Sequence, residues 1–329
     1  MDSKFSENIL NSYTGKRILI TGGAGYIAAN LVNLLKDINC HIIRFDRQEA
    51  RLLPINGKAK IDNIFGDIRD QSIWEKILDK TDIVFHFAAQ TSTYVSNDNP
   101  LDDIKINVLP MVNMLETCRR KNWDPVILFS STVTVIGMPA CLPVDESQTG
   151  RPVTVYDLHK SMAEEYLKYY IDQGFVRGAV LRLSNVYGPG PKSSRSDRGI
   201  LNMMIRKALA KEALTVYGKG DFLRDYIYVE DVARAFLTAG IKIEKVNGRH
   251  FIIGTGEGHT IAEAINLVAD RVAFKTGHRV DVTHIKPVTP QSPIEDRNFV
   301  ADSRMFCNMT GWKNMYSLTE GIDSMIMLV

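Results

Sequence analysis

The chain has 329 residues, 45% hydrophobic and 24% charged, a balance that excludes intrinsic disorder, collagen and long coiled coil. Its 40 basic and 38 acidic side chains leave a net charge of +2, which excludes a broad nucleic-acid surface. Any anion it binds must therefore meet a local site. Cys40, Cys118, Cys141 and Cys307 are dispersed, with no CxxC pair or histidine cluster nearby, so they read as free thiols. Neither a disulfide framework nor a metal site is expected. The polar start MDSKFSENILNSYTGK lacks a signal-peptide core and no apolar run is long enough to span a bilayer. A cytoplasmic protein without a membrane partner is expected.

In chain order, Lys16–Thr21 reads as a short β-branched strand that runs into Gly22-Gly23-Ala24-Gly25. From Tyr26 to Lys36 the residues Ile27, Leu31, Leu34 and Leu35 share a helical face. His41–Phe45, Asp62–Phe65 and Asp82–Phe87 follow as strands. A helical pattern over Ile104–Lys121 leads to a strand at Val126–Phe129, and another over Val155–Tyr170 leads to a strand at Ala179–Leu183. Strands alternating with helices imply parallel crossovers and an α/β, doubly wound sheet of the Rossmann type. Past Asn185 the texture changes: Gly188-Pro189-Gly190-Pro191 and the polar stretch after it form a breaker-rich loop. Short strands at Leu214–Tyr217, Tyr226–Val229 and Val280–Ile285 then alternate with moderate helices. The expected organisation is a dinucleotide-binding domain over 1–185 and a smaller α+β substrate-binding region over 186–329, with some chain crossing between them.

The first chemical signal is the turn from Thr21 to Ala28. Glycines there permit a tight turn, let bare backbone approach a pyrophosphate, and aim a helix N-terminus at its charge. Asp46 follows about 20 residues later at a strand end, where a carboxylate can bind ribose hydroxyls and favours NAD over NADP. Arg44 and Arg47 flank it and oppose that preference. Tyr156 and Lys160 lie four apart on a predicted helix and so share a face. An ammonium beside a phenol stabilises phenolate, which lets the tyrosine move a proton at neutral pH. Such a pair is also common on surfaces. Ser130, Ser131 and Thr132 end the preceding strand, where parallel strands gather ligands at their carboxyl ends.

With these residues in hand, the sequence resembles the extended short-chain dehydrogenases/reductases that act on nucleotide sugars. The resemblance covers nearly the whole chain, through TGGAGYIA, FDR, GDIRD, HFAAQ, FSST, YDLHK, LRLSNVYGPG, LRDYIYVEDVARA, GTGEG and EDRNFVAD. It implies that Thr132, Tyr156 and Lys160 are catalytic, with Ser131 an alternate hydroxyl. Gly22, Gly25, Tyr26, Ile27, Asp46, Arg47, Asp67, Ile68, Ala88, Ala89 and Asn107, together with Tyr156 and Lys160, are implied to bind NAD. Thr91, Ser131, Thr132, Asn185, Tyr217, Arg224 and Arg297 are implied to hold a nucleoside diphosphate sugar, the two arginines meeting its diphosphate bidentately. An internal pair with Asp225 is the alternative for Arg224, and His86 and His159 read as structural. The resemblance further implies a homodimer built on the helices at Ile104–Lys121 and Val155–Tyr170.

The sequence departs from the family pattern after the serines. Ile136 stands where a tyrosine is usual, and Val133-Thr134 stand where 4,6-dehydratases carry Asp-Glu and related decarboxylases a Glu at the second position. Elimination lacks its acid and base, and Asp46 disfavours a reductase drawing on NADPH. The expected activity is NAD-dependent epimerisation at C4 through a transient 4-keto sugar. A ketosugar reductase, a dehydratase and a catalytically inactive cofactor-sensing regulator are the alternatives.

Overall fold

The computed structural model describes residues 3–48, 50–52, 54–191, 199–286 and 293–328. In its first part the elements are α1 (Ser3–Asn11), β1 (Arg17–Thr21), α2 (Tyr26–Leu35), β2 (His41–Asp46), β3 (Lys60–Phe65), α3 (Gln71–Leu78) and β4 (Ile83–His86). Then come α4 (Thr93–Asp98), α5 (Pro100–Asn107), α6 (Leu109–Lys121), β5 (Val126–Thr132), α7 (Val155–Asp172), β6 (Arg177–Leu183) and β7 (Asn185–Tyr187). The remainder comprises α8 (Ile200–Leu209), β8 (Leu214–Tyr217), β9 (Leu223–Tyr228), α9 (Val229–Ile241), α10 (Ile243–Val246) and β10 (His250–Ile253). It ends with β11 (Gly258–Thr260), α11 (Ile261–Thr276), β12 (Val282–Ile285), α12 (Arg304–Thr310) and α13 (Leu318–Ile326).

Seven strands form one sheet in the order β10-β6-β5-β4-β1-β2-β3, and every pairing in it is parallel. This is the expected doubly wound α/β sheet of the Rossmann type, widened by β10. Alternation along the strands supplies both faces. Ile18, Ile20, Phe85 and Leu128 pack toward Leu31 and Phe236 of α2 and α9. Leu19, Val84, Ile127 and Phe129 pack toward Trp74, Met114 and Leu167 of α3, α6 and α7. The strand order reverses between β1 and β4, so the loops after those two strands part and leave a crevice at their carboxyl ends.

Residues beyond Asn185 build a second core of Leu201, Ile205, Val216, Val268 and Ile322. They support a three-stranded sheet, β11-β9-β7, and a pair, β12-β8. The same part of the chain returns α9 and β10 to the large sheet, with Phe251 paired to Leu181.

Several local expectations are revised. The helix expected over Ile104–Lys121 is two helices, broken at Val108, because Pro110 lacks the N–H that would continue the ladder and instead sits in the first turn of α6. The polar N-terminus carries α1, and Tyr13 just beyond it is buried with its hydroxyl donating to the Leu237 carbonyl at 2.7 Å. Val229 begins α9 rather than ending a strand. The polar stretch Lys192–Arg198 of the breaker-rich loop lies outside the described residues.

Candidate active site

The glycine turn leaves β1 and enters α2. Gly22 has φ +69°, and a Cβ on it would lie 2.8 Å from the Ala88 amide nitrogen. Only glycine lets these two backbones pass so closely. Gly25 caps α2 with no side chain, leaving N–H groups of the first turn open to an anion. Ala28 is buried at the third small position. Tyr26, whose hydroxyl accepts from Asn202 Nδ2 at 3.2 Å, and Ile27, packed on the core, hold the start of that helix.

Asp46 ends β2 and straps the turn: its Oδ2 accepts from the Ala24 amide at 2.8 Å and its Oδ1 from Arg47 at 2.8 Å. Arg44 is buried beneath Gly23, with Nε donating to Asn63 at 2.9 Å, whereas Arg47 is exposed. Asp67 binds Arg69 bidentately, which lowers its pKa, and Ile68 packs against the sheet. A glycine cradle closed by a strand-end carboxylate suits a dinucleotide, and this observation fits the cofactor expected from the sequence.

Across the crevice, Thr21 Oγ1 accepts from the Ala88 amide at 3.2 Å and lies 2.9 Å from His86 Nδ1. Burial, and then the Lys160 charge, push the His86 pKa down to about 3. The ring is neutral, and the hydrogen bond that Nδ1 shares with Thr21 makes His86 a structural tie. The segment Ala88–Thr91 is held by Asn107, which accepts from the Gln90 amide at 3.1 Å and donates to its carbonyl at 3.0 Å. Thr91 is exposed at its end.

Of the triplet expected from sequence, Thr132 ends β5, and Tyr156 and Lys160 stand on α7, which packs against β5. Thr154 and Asp157 form a reciprocal capping box that starts α7 at Val155. Tyr156 and Lys160 are both buried, and the ammonium lies 4.1 Å from the Phe129 ring centroid. Burial brings the Lys160 pKa down to about 7, against the opposing pull of Glu164 and Asp103. Thr132 stands at the end of β5 with its Oγ1 accepting from the Thr134 amide at 3.2 Å.

Ser131 requires a correction. Expected as an alternate hydroxyl for the sugar, it donates instead to Glu164, which also holds Arg182 through a 2.6 Å bond, all three being buried. Ser131 shares the Phe129 side of β5, facing α7, so its hydroxyl braces the helix under the site. The Glu164–Arg182 pair was missed from sequence; its signal is a glutamate four residues after Lys160.

On the substrate side, Asn185 begins β7 and Tyr217 ends β8, both exposed. Arg224 is buried and donates to the carbonyls of Arg297, Leu223 and Glu295, the last two at 3.0 and 2.7 Å. It does not pair with Asp225, which accepts from Thr255, Gly256 and Ala301. Arg297 is buried too, with Nε and Nη1 lacking partners among the described residues. Burial first, and then Arg224, lower its pKa to about 10. Arg297 thus brings open N–H groups beside the buried Arg224, chemistry that suits an anion. No metal-ligating cluster and no helix long and apolar enough to cross a membrane occur among the described residues.

Comparison with known proteins agrees with this geometry. The model of the NAD dependent epimerase/dehydratase family matches residues 18–254. A putative UDP-glucose 4-epimerase of Methanocaldococcus jannaschii is 35% identical over 312 residues, covering 94% of this chain and 97% of the relative. The structure of a Thermotoga maritima UDP-glucose 4-epimerase with UDP-glucose is 28% identical, with a TM-score of 0.82 over 94% of this chain and 97% of that one. A Thermus thermophilus UDP-glucose 4-epimerase in complex with NAD is 28% identical, with a TM-score of 0.81 and the same coverage.

Proposed function

The chain belongs to the NAD dependent epimerase/dehydratase family, and we propose that it is a nucleotide-sugar 4-epimerase acting on a UDP-hexose. The observation that carries the choice is the Thr132, Tyr156 and Lys160 triplet beside Val133 and Thr134, which bring no carboxyl group of their own for elimination. NAD, when bound, would supply the hydride acceptor and donor that epimerisation at C4 of the sugar requires. Gly22, Gly25, Tyr26, Ile27, Asp46, Arg47, Asp67, Ile68, Ala88, Ala89 and Asn107 would hold it.

Tyr156 takes the proton of the sugar 4-hydroxyl at its phenolic oxygen and gives it back to the ketone. Lys160 places positive charge beneath that phenol, and Thr132 positions the reacting oxygen. Arg224 and Arg297 grip the diphosphate, with Asn185, Tyr217 and Thr91 around the nucleotide and sugar. An anchored diphosphate leaves the 4-keto hexose free to turn over between the two transfers, which is what epimerisation needs beyond oxidation. In the assembly, α5, α6 and α7 of two copies pair across a two-fold axis to form a homodimer.

The test is to incubate the purified protein with UDP-glucose or UDP-galactose and follow the sugar by NMR and mass spectrometry. The expected product has unchanged mass and inverted C4 stereochemistry. A product lighter by one water would make the enzyme a dehydratase, and stoichiometric consumption of reduced nicotinamide would make it a reductase.

A further inference from the structure

The proton transfer assigned to Tyr156 depends on where its backbone stands, and that is fixed in the first turn of α7. The first amides of a helix have no partner within it and must find acceptors elsewhere. Here the Val155 amide donates to Asn97 Oδ1 at 2.9 Å, the Tyr156 amide to Ser96 Oγ at 3.1 Å, and the Asp157 amide to Thr154 Oγ1 at 3.2 Å. Thr154 is the helix's own cap. Ser96 and Asn97 reach across from a separate element, α4, which begins just after Thr91 and Ser92.

The two acceptors from α4 are not equivalent. Asn97 is exposed, so water can replace it. Ser96 is fully buried, and its hydroxyl donates to the Thr93 carbonyl at 2.8 Å, which leaves the oxygen lone pairs to Tyr156. The start of α4 is tied in turn to the loop after β4. The Ser92 carbonyl accepts from the Ser96 amide at 3.1 Å and from Gln90 Nε2 at 2.9 Å, and the Ser92 amide donates to Gln90 Oε1. Gln90 is the residue that Asn107 holds through its backbone. An unbroken run of hydrogen bonds, Asn107–Gln90–Ser92–Ser96–Tyr156, therefore joins the loop that would hold NAD to the backbone of the tyrosine.

We propose that Ser96 is a positioning residue, which registers Tyr156 against the cofactor loop and so keeps the phenol in reach of the sugar 4-hydroxyl. The inference rests on the epimerase function proposed above and on the proton transfer it gives to Tyr156. Ser96 exchanges no proton with the sugar and acts through the Tyr156 amide alone. Ser96→Ala leaves a buried N–H without an acceptor and lets the first turn of α7 shift. A misplacement on the order of 1 Å can cost a reacting group roughly 10²-fold in rate.

With UDP-glucose as the probe, kcat of Ser96→Ala should fall roughly tenfold or more, while KM and co-purified NAD stay within about twofold. Asn97→Ala removes an exposed acceptor from the same turn and should stay within about twofold of the parent in kcat. On a Tyr156→Phe background, adding Ser96→Ala should change the residual turnover by no more than about twofold, because the phenol it positions is already gone. An unchanged kcat in Ser96→Ala, an equal loss in Asn97→Ala, or a full further loss on Tyr156→Phe overturns the inference while leaving an active parent enzyme. A parent that interconverts no UDP-hexose overturns the inference together with the function on which it rests.

Discussion

At Lys160, chemistry and burial pull in opposite directions. Catalysis wants an ammonium beside Tyr156, but burial brings the lysine pKa down to about 7, and only Glu164 and Asp103 oppose that fall. In the unfolded chain the same side chain titrates near 10.4, so between about pH 7 and pH 10 the unfolded state binds the extra proton and stability rises with pH. Below about pH 7 both states are charged and the burial penalty is present in full. Lys160→Met should therefore raise the melting temperature near pH 6 without added nucleotide, and this gain should shrink as the pH climbs toward about 10. A gain independent of pH in thermal scans would mean that Lys160 is not the titrating group. Glu164 tolerates the change because Arg182 and Ser131 still satisfy it. Tyr156→Phe makes a separate prediction: turnover should drop by roughly 10²–10⁴ while co-purified NAD is retained, since the glycine turn and Asp46 are untouched. Equal loss of NAD, read by absorbance of the released nucleotide, would give Tyr156 a binding role instead.

At the scale of elements, one carboxylate joins three of them. Asp103 on α5 accepts from His159 on α7 at 2.7 Å, from Gln90 of the loop after β4 at 2.7 Å, and from Asn107 at 3.1 Å. Both Asp103 and His159 are buried. Asp103→Ala leaves several buried polar groups without an acceptor and should cost on the order of 3 kcal/mol or more in denaturant unfolding, with NAD binding weakened because the Ala88–Thr91 loop loosens. A near-neutral midpoint shift would place the clamp elsewhere.

This clamp was not legible in the sequence, because nothing in the spacing of Asp103, Gln90 and His159 says that α5 and α7 lie side by side. The glycine turn, Asp46, and the Tyr156–Lys160 pair were legible, since each is a local pattern whose chemistry follows from strand–turn–helix order or from helical spacing. Ser130, Ser131 and Thr132 were harder: with a hydroxyl at every position, alternation along β5 gives no hydropathy signal, so the turn of Ser131 toward Glu164 needs the neighbouring helix to be seen. The break at Val108 was legible from Pro110 and was passed over for the apolar pattern around it.

For the whole molecule, the question is what covers the outer side of α7. Its inner side buries Lys160, Ala163, Glu164 and Leu167 against the sheet. Leu158, Met162, Tyr166 and Tyr169 recur at helical spacing on the outer side, with Leu158, Tyr166 and Tyr169 exposed at 48%, 40% and 59%. Leu101 of α5 and Leu109 of α6 add exposed apolar surface nearby. Specific, stable protein interfaces bury roughly 1,200–2,000 Å² in total, which the faces of α5, α6 and α7 from two copies related by a two-fold axis can supply. Each copy would then brace the partner's catalytic helix from behind. Tyr166→Glu places a charge in the middle of this stripe without touching Tyr156, Lys160 or the glycine turn. Light scattering at micromolar concentration should give the parent as a dimer and the variant as a monomer, and the melting temperature of the variant should be lower and no longer depend on protein concentration. If Tyr166→Glu remains a dimer of parental stability, the two-fold axis lies elsewhere and the α7 stripe is ordinary exposed surface.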